Sequence, residues 1–583
     1  MASKSALGSI LFLLLMSFLA IGCDRADEHS SVPAPPGDVQ SDPSSEPMKK
    51  PSVTFTELSA EVGLELTITN GAEHGHHSIL QTLGSGVAVC DYDLDGREDL
   101  LFSRGGTYSP EPQPAGTGLA CFRQLAAWEF AETTRACGLQ KPLFYSHGLF
   151  AADYNNDGFT DFLLTGYGNV ALYENNGDGT FTEATATSQI VNNQWSTAAA
   201  WADFNHDGHL DLYIVNYVNW SFANNPVCIR GGQADVCPPA QFEPLDDQLW
   251  LSRGDGTFEC QTSQTPLTPG GKGLGVLAAD FDTDGDIDLY VANDTVANFL
   301  FLNDGTGRLE EEGFASGTAV DREGVANGSM GIDTADLNGD GLPEIWVANY
   351  EDEQFALYEN LGHGLFEHKT RRWGIAAVES VFVGFGTRFL DFDLDGDQDL
   401  VVTNGHVMEQ MVNSSINQMP LLLENQGNSF ANIAEQAGSY FSTPHLGRGL
   451  ATSDLDQDGD SDLVITHTNS PSVLLRNERE NQNQWIQLEL VGTESNRNAI
   501  GSRIRIETPS GVTFHQITSG ASYLSTSSRT LVVGLDGEPC QSIQITFPKG
   551  KTIELEMPQV NRKYQVTESG EIFVQGPSAQ SKK

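Results

Sequence analysis

Residues 280–288 read DFDTDGDID, and the run that begins on the last of them reads DLYVA. Carboxylates on alternate positions, a glycine at the sixth and a β-prone apolar run straight after describe a tight acidic turn feeding a strand. Working outward, the nine-residue pattern occurs six more times. The copies are DYDLDGRED from Asp91, DYNNDGFTD from Asp153, DFNHDGHLD from Asp203, DLNGDGLPE from Asp336, DFDLDGDQD from Asp391 and DLDQDGDSD from Asp454. Their starts lie 50 to 77 residues apart. Five positions before each stands Gly86, Gly148, Gly275, Gly331, Gly386 or Gly449, with Ala198 in the third copy. Self-similarity at such a period marks a repeat architecture.

Each unit has an apolar run before the acidic turn, a second run after it, a third such as ALYEN or FLFLN, and a Gly/Asp/Asn turn leading to a fourth. Four short strands per unit, repeated seven times, predict an all-β chain built as a seven-bladed β-propeller. Six units end in a last strand (FAETT, FTEAT, FECQT, LEEEG, FEHKT, FANIA), whereas the seventh passes from SVLLRN into different sequence. The missing strand has a candidate at FTELSAEVGL from Phe55, and pairing it there would close the ring and hide its edges. The expected organisation is propeller over 52–478, a small C-terminal β-sandwich or barrel over 479–567 and a disordered tail over 568–583.

The turns read as calcium loops, because calcium takes six to eight hard oxygen ligands. Positions 1, 3 and 5 hold Asp91, Asp93 and Asp95; Asp153, Asn155 and Asp157; Asp203, Asn205 and Asp207; Asp280, Asp282 and Asp284. The last three copies place Asp336, Asn338 and Asp340; Asp391, Asp393 and Asp395; Asp454, Asp456 and Asp458 there. Position 6 is always Gly, as a turn with positive φ requires. Position 7 varies (Arg97, Phe159, His209, Asp286, Leu342, Asp397, Asp460), as befits a residue offering only its backbone carbonyl. Position 9 is always a carboxylate: Asp99, Asp161, Asp211, Asp288, Glu344, Asp399 or Asp462. An EF-hand would need Glu at position 12, where strand residues such as Phe102 and Val291 stand instead. Up to seven Ca2+ are expected.

The chain of 583 residues has a formal net charge of -48, which argues against nucleic-acid binding because phosphates would be repelled. Residues 1–22 read as an export signal, with Lys4 ahead of an apolar run from Ala6 to Ala20. Ala20-Ile21-Gly22 before Cys23 resembles a lipobox, so Cys23 is the expected lipid-bearing residue, followed by a disordered Pro/Ser tether over 23–51. An exported protein held to a bacterial envelope by its lipid alone, or released outside the cell, is the expectation. Cys228 and Cys237 sit nine apart in one loop and suit a disulfide in an oxidising compartment. The remaining cysteines read as buried small residues, with a Cys121–Cys137 bridge as an alternative.

Strand-DxDxDGxxD-strand units resemble the FG-GAP/VCBS repeats of integrin α-subunit propellers. WIQLELVG from Trp485, then SNRNAIGSRIRI, GASYLS, LVVGLDG and FPKG at Phe547, look like the ASPIC/UnbV domain shared with cartilage acidic protein. The resemblance implies calcium at the Asp/Asn positions and a surface or extracellular setting, and fixes no activity.

The loops before the first strand and after the second collect at the end opposite the acidic turns. There the sequence places His147, Trp195, Tyr217, Asn293, Asn349, Asn404, His406, His445 and Arg448, aromatic and amide residues suited to a glycan, peptide or small molecule. A binding or adhesion module is the first expectation. An enzyme acting on a glycan or small molecule at that face or in the central cavity is the alternative, although no catalytic motif stands out.

Overall fold

The computed structural model describes residues 53–576 apart from 109–111, 142, 264–266, 376–380, 412–413 and 480. The expected export signal, Cys23, the expected tether and residues 577–583 lie outside the described residues. Seven antiparallel sheets carry one acidic turn each; six have four strands, and the fourth gains a fifth, Ser519–Gly520, beside its first strand. Their first strands are Val87–Cys90, Ser146–Ala152, Ser196–Ala202, Gly273–Ala279, Ile332–Ala335, Gly384–Leu390 and Gly447–Ser453. Each of these neighbours the next, and the seventh neighbours the first, so the strands form a closed ring about an axis. The N-terminal strand Phe55–Glu57 pairs antiparallel with Val473–Asn477, supplying the strand that the seventh unit lacks.

Apolar cores lie between neighbouring sheets rather than within one. Val87, Val89, Leu100 and Phe102 of the first sheet, for example, pack with Ala451, Leu455, Val464 and Leu474 of the seventh. Burying such side chains is worth roughly 1.5–3 kcal/mol each, so each sheet depends on both neighbours.

The C-terminal region forms two facing four-stranded sheets. One orders Leu531–Gly534, Trp485–Val491, Arg562–Thr567 and Ile572–Gln575; the other orders Val512–Gln516, Arg503–Glu507, Ser542–Thr546 and Thr552–Glu556. Ile486, Leu488, Ile504, Ile506, Ile543, Ile545 and Val566 fill the space between them, as in a sandwich. The strand Ile572–Gln575 corrects the disordered tail expected from residue 568, because it pairs with residues 563–566.

Between the two sheets the chain leaves the sandwich and enters the ring. Residues 519–528 hydrogen-bond to the first strand of every one of the seven sheets. Thr526 exchanges backbone bonds with Val87 and Val89 (2.9 Å each), Leu524 O accepts from Leu149 N–H (3.1 Å), and Ser519 Oγ accepts from Trp201 N–H (2.9 Å). Ala521 N–H donates to Val276 O (3.0 Å), and Ser522 pairs with Ile332 through both N–H and C=O. Ser522 Oγ accepts from Thr387 N–H (3.3 Å) and donates to Leu450 O (2.8 Å). The segment therefore occupies the axial channel between these strands, where the alternative reading had placed an enzyme's central cavity. The fill also explains Gly86: a Cβ there would stand 1.6 Å from Leu524 O.

Candidate metal centres

The seven acidic turns share one hydrogen-bond scheme. The position-1 carboxylate accepts from the backbone N–H groups of positions 5 and 6 in most copies, as in Asp95 and Gly96 onto Asp91 (3.1 and 2.8 Å) or Asp458 and Gly459 onto Asp454 (3.0 and 2.9 Å). Position 5 accepts from the N–H of position 7 in all seven, for example Phe159 onto Asp157 (2.9 Å) and Leu342 onto Asp340 (2.9 Å). The glycine at position 6 has φ between 84° and 106°, the left-handed region the sequence required of it. Position 4 is left-handed as well, at Leu94, Asn156, His206, Thr283, Gly339, Leu394 and Gln457; only Gly339 advertises this in the sequence.

Position 9 is a staple. One oxygen accepts from the N–H of position 2 and the other from the N–H at the end of the third strand. Asp288 thus holds Phe281 (2.8 Å) and Asn303 (2.9 Å), Asp399 holds Phe392 (3.2 Å) and Asn425 (2.8 Å), and Asp462 holds Leu455 and Asn477 (both 2.9 Å). The same scheme recurs at Asp99, Asp161, Asp211 and Glu344.

Positions 1, 3 and 9 converge. In the copies with Asp at position 3, one oxygen from each of Asp91, Asp93 and Asp99 lies within 4.8 Å of the others. The triads Asp280/Asp282/Asp288, Asp391/Asp393/Asp399 and Asp454/Asp456/Asp462 meet the same limit. Such crowding of buried carboxylates opposes ionisation. Burial, reinforced by neighbouring acids, pushes Asp91 and Asp280 up to about 6, Asp99, Asp288 and Asp454 to about 8, and Asp161 to about 9. Asp93 Oδ1 and Asp280 Oδ1 are buried without a hydrogen-bond partner, the atoms a cation would satisfy. These clusters can hold metal ions through hard oxygen donors.

Three position-7 side chains have charged partners, one of them within its own turn. Asp286 meets His206 (2.6 Å), Asp460 meets Arg479 (2.9 Å) and Arg97 pairs with Asp95. The C-terminal sandwich covers this end of the propeller. Arg503 pairs with Asp280, Arg497 lies 3.5 Å from Asp153, Gln487 donates to Asp454 (2.6 Å) and Gly534 N–H donates to Asp391 (2.8 Å).

One set of residues escaped the sequence reading: the amide that ends the third strand. Asn175, Asn303, Asn360 and Asn477 each donate across to position 2 of the preceding sheet's turn, at Tyr92 O (2.7 Å), Phe204 O (2.9 Å), Phe281 O (2.8 Å) and Phe392 O (2.8 Å). Gln124 does the same to Leu455 O (2.7 Å), tying the first sheet to the seventh. The recurring Asn in ALYEN, FLFLN and VLLRN was the signal.

At the opposite end the residues expected to form a ligand face are largely buried. His147, Trp195, Tyr217, Asn293, Asn349, Asn404, His406 and Arg448 are buried, and His445 is half-buried. Asn293, Asn349 and Asn404 brace their own loops by donating to Ala297, Gln354 and Met419 carbonyls. Tyr217 donates to Asp294 (2.5 Å), and His406 Nε2 meets Glu351 (3.1 Å). Arg448 donates to the carbonyls of Thr82, Gly405 and Gly447 and lies 3.9 Å over the Phe385 ring. His445 stacks between Tyr440 (4.2 Å) and His467 (5.0 Å). These aromatic and polar side chains are engaged with the protein's own loops at this end of the ring. Cys228 and Cys237 are bonded to each other; Cys121 and Cys137 are buried free thiols 3.8 Å apart, and Cys90 and Cys260 are only partly buried.

His147 carries a pH prediction. Trp195 Nε1–H donates to its Nε2 (3.0 Å), and its Nδ1–H donates to Gly84 O (2.9 Å), so the buried ring is neutral. Burial lowers it to about 4, and lowers His467 likewise to about 4. Between roughly pH 6.5 and 4 the unfolded chain binds protons that the folded chain refuses, so stability is lost as pH falls through that window. His147→Gln is expected to flatten the stability slope between pH 6 and 5, measured by denaturant unfolding, by about 1.4 kcal/mol per pH unit. An unchanged slope would mean that the ring titrates normally.

Family models match two parts of the chain. The FG-GAP-like repeat model matches residues 153–214, 242–291, 280–347 and 336–402, and the ASPIC and UnbV model matches residues 492–572. The chain carries FG-GAP-like repeats and an ASPIC/UnbV domain. The matched FG-GAP segments contain the acidic turns that start at Asp153, Asp203, Asp280, Asp336 and Asp391. Cartilage acidic protein 1 of Xenopus tropicalis is 25% identical over 470 residues, covering 80% of this chain and 61% of that protein. The Mus musculus protein of that name is 24% identical over 360 residues, covering 61% of this chain and 52% of that one. The FG-GAP chain thus spans about half to three fifths of these relatives. Among solved structures it is similar to the Dos1 propeller, with a TM-score of 0.34 and 8% identity over 67% of this chain and 88% of that one. Among the described residues, no helix is long and apolar enough to cross a membrane.

Proposed function

We propose that this is an exported, calcium-loaded propeller that binds a ligand outside the cytoplasm, held to a bacterial envelope through lipid on Cys23. The convergence of positions 1, 3 and 9 of four turns in oxygen-only clusters, each with a buried position-9 carboxylate, supports this reading most. Up to seven Ca2+ would sit in the acidic turns, with the carbonyls of Arg97, Phe159, His209, Asp286, Leu342, Asp397 and Asp460 completing each set. Calcium supplies charge that lets the carboxylates stay ionised and rigidifies the turns. The protein's part is to aim those oxygens, through the position-1 and position-5 backbone bonds and the position-9 staple.

Binding of immobilised glycans and peptides is the test, run with calcium present and again after chelation. The reading expects at least one calcium-dependent ligand class. A protein that binds nothing from either library in calcium, while folded, would overturn the binding role. Metabolic labelling with a fatty acid is expected to mark the full chain and to fail on Cys23→Ser.

A further inference from the structure

We infer that a cavity of about 390 Å³, where the mouth of the propeller axis meets the C-terminal sandwich, binds a small polyhydroxylated carboxylate, an organic acid of sugar size. The inference rests on the ligand-binding reading above and deepens it, since it moves the ligand from the closed end of the ring to the end bearing the acidic turns. A cavity of this size falls within the range of about 300–1,000 Å³ typical of small-molecule sites.

Its charge is the first argument. The chain has 31 Lys and Arg against 79 Asp and Glu, yet Arg388, Arg503, Arg505 and Arg529 all line this one cavity. The lining carboxylates are Asp333, Asp336 and Asp391. Asp336 and Asp391 are position-1 residues of the fifth and sixth turns, so their charge is taken up when those turns hold cations. Asp333 is buried and already engaged: Arg388 lies 3.3 Å from its Oδ1, and Phe389 N–H donates to its Oδ2 (2.7 Å). Arg505 is paired with Glu507 (2.8 Å). Once the turns hold cations, the excess positive charge at the cavity therefore rests on Arg503 and Arg529, and it favours an anion.

Donor geometry is the second argument. Arg388 Nε is buried without a hydrogen-bond partner, and Arg529 at the rim makes no hydrogen bond or ion pair among the described residues. Guanidinium groups with free donors match the two oxygens of a carboxylate. Gln544 and Thr518 share the lining and supply donors and acceptors for hydroxyl groups. Ser527, whose Oγ accepts from Thr452 N–H (3.0 Å), keeps its own O–H to donate, and Gln516 is held by the Asp280 backbone (3.1 Å to both its N–H and its C=O). The sandwich and the entering segment contribute most of these groups and the propeller contributes Arg388, so the site exists only in the assembled molecule.

Titration calorimetry on the calcium-loaded chain from residue 52 tests this, using glucuronate, glucose and inorganic phosphate as probes. Glucuronate is expected to bind at least tenfold more tightly than glucose or phosphate. Arg529→Gln, which removes an exposed group without a hydrogen bond or ion pair among the described residues, is expected to weaken glucuronate at least tenfold without shifting the melting temperature in calcium. Arg505→Gln is the second variant, with the same expectation for binding. Equal affinity for glucose would overturn the carboxylate requirement, and tighter phosphate binding would assign the site to inorganic anions. No binding, or binding indifferent to both variants, would remove the cavity as the site. The calcium dependence of melting, read on the same samples, separates failure of the cavity from failure of the calcium reading.

Discussion

Chelating calcium at neutral pH is expected to lower the melting temperature of this protein by about 25 °C, from the linkage and size scaling of unfolding. Each site that is saturated a thousandfold over its Kd contributes about 4 kcal/mol, and seven of them contribute nearly 30 kcal/mol. A chain of this length loses about 1.1 kcal/mol of stability per degree near its midpoint, which sets the size of the shift. The position-1 and position-9 carboxylates explain why the loss is not recovered elsewhere. Buried or half-buried beside one another and shifted up, they must repel or take up protons without a cation. Differential scanning fluorimetry with and without chelator reads the shift directly, and a change of only a few degrees would leave the turns as plain acidic bends.

The second large effect concerns the segment that fills the axis. Leu524→Ala is expected to cost about 3 kcal/mol, because Leu524 is buried in a cluster with Tyr523, Leu83, Phe385 and Met330 and leaves a cavity that close-packed neighbours do not refill. Gly86→Val should be more severe, since any Cβ at residue 86 meets the carbonyl of Leu524. Expelling the segment orphans inner-strand N–H groups in several sheets at once, among them those of Val89, Leu149, Ile332 and Thr387. Wild type is therefore expected to unfold as one unit, with propeller and sandwich coupled, and Gly86→Val to separate into two transitions by calorimetry. Two transitions in the wild type, or a silent Leu524→Ala, would show that the segment is a passenger.

Most of the architecture was legible because it repeats. The fixed glycine at position 6, the carboxylate at position 9 and the switch to apolar runs recur in seven copies, and the missing seventh strand pointed to Phe55. What occurs once was not legible. GASYLS reads as an ordinary stretch of a β domain; its path into the ring depends on long-range pairing and on left-handed backbone at Ala521, Ser522 and Leu524, none of them glycine. The candidate metal centres were readable from residue type and spacing. The double staple at position 9 and the cross-sheet amides were not, because a side chain that completes a neighbour's backbone leaves only a weak local trace. The burial of the expected ligand face was illegible for a related reason: His147, Trp195, Tyr217 and Arg448 look like binding residues by type, and only packing reveals that the loops bury them.

Native mass spectrometry of residues 52–583 in excess calcium tests the central claim most directly, by counting the ions that stay with the folded chain. Seven per chain is the expected count, falling by one for each turn whose position-1 and position-3 residues are replaced by Ala, as in Asp454→Ala with Asp456→Ala. A folded chain that carries no calcium would contradict the account, because buried clusters of carboxylates would then persist without the cation invoked to hold them together.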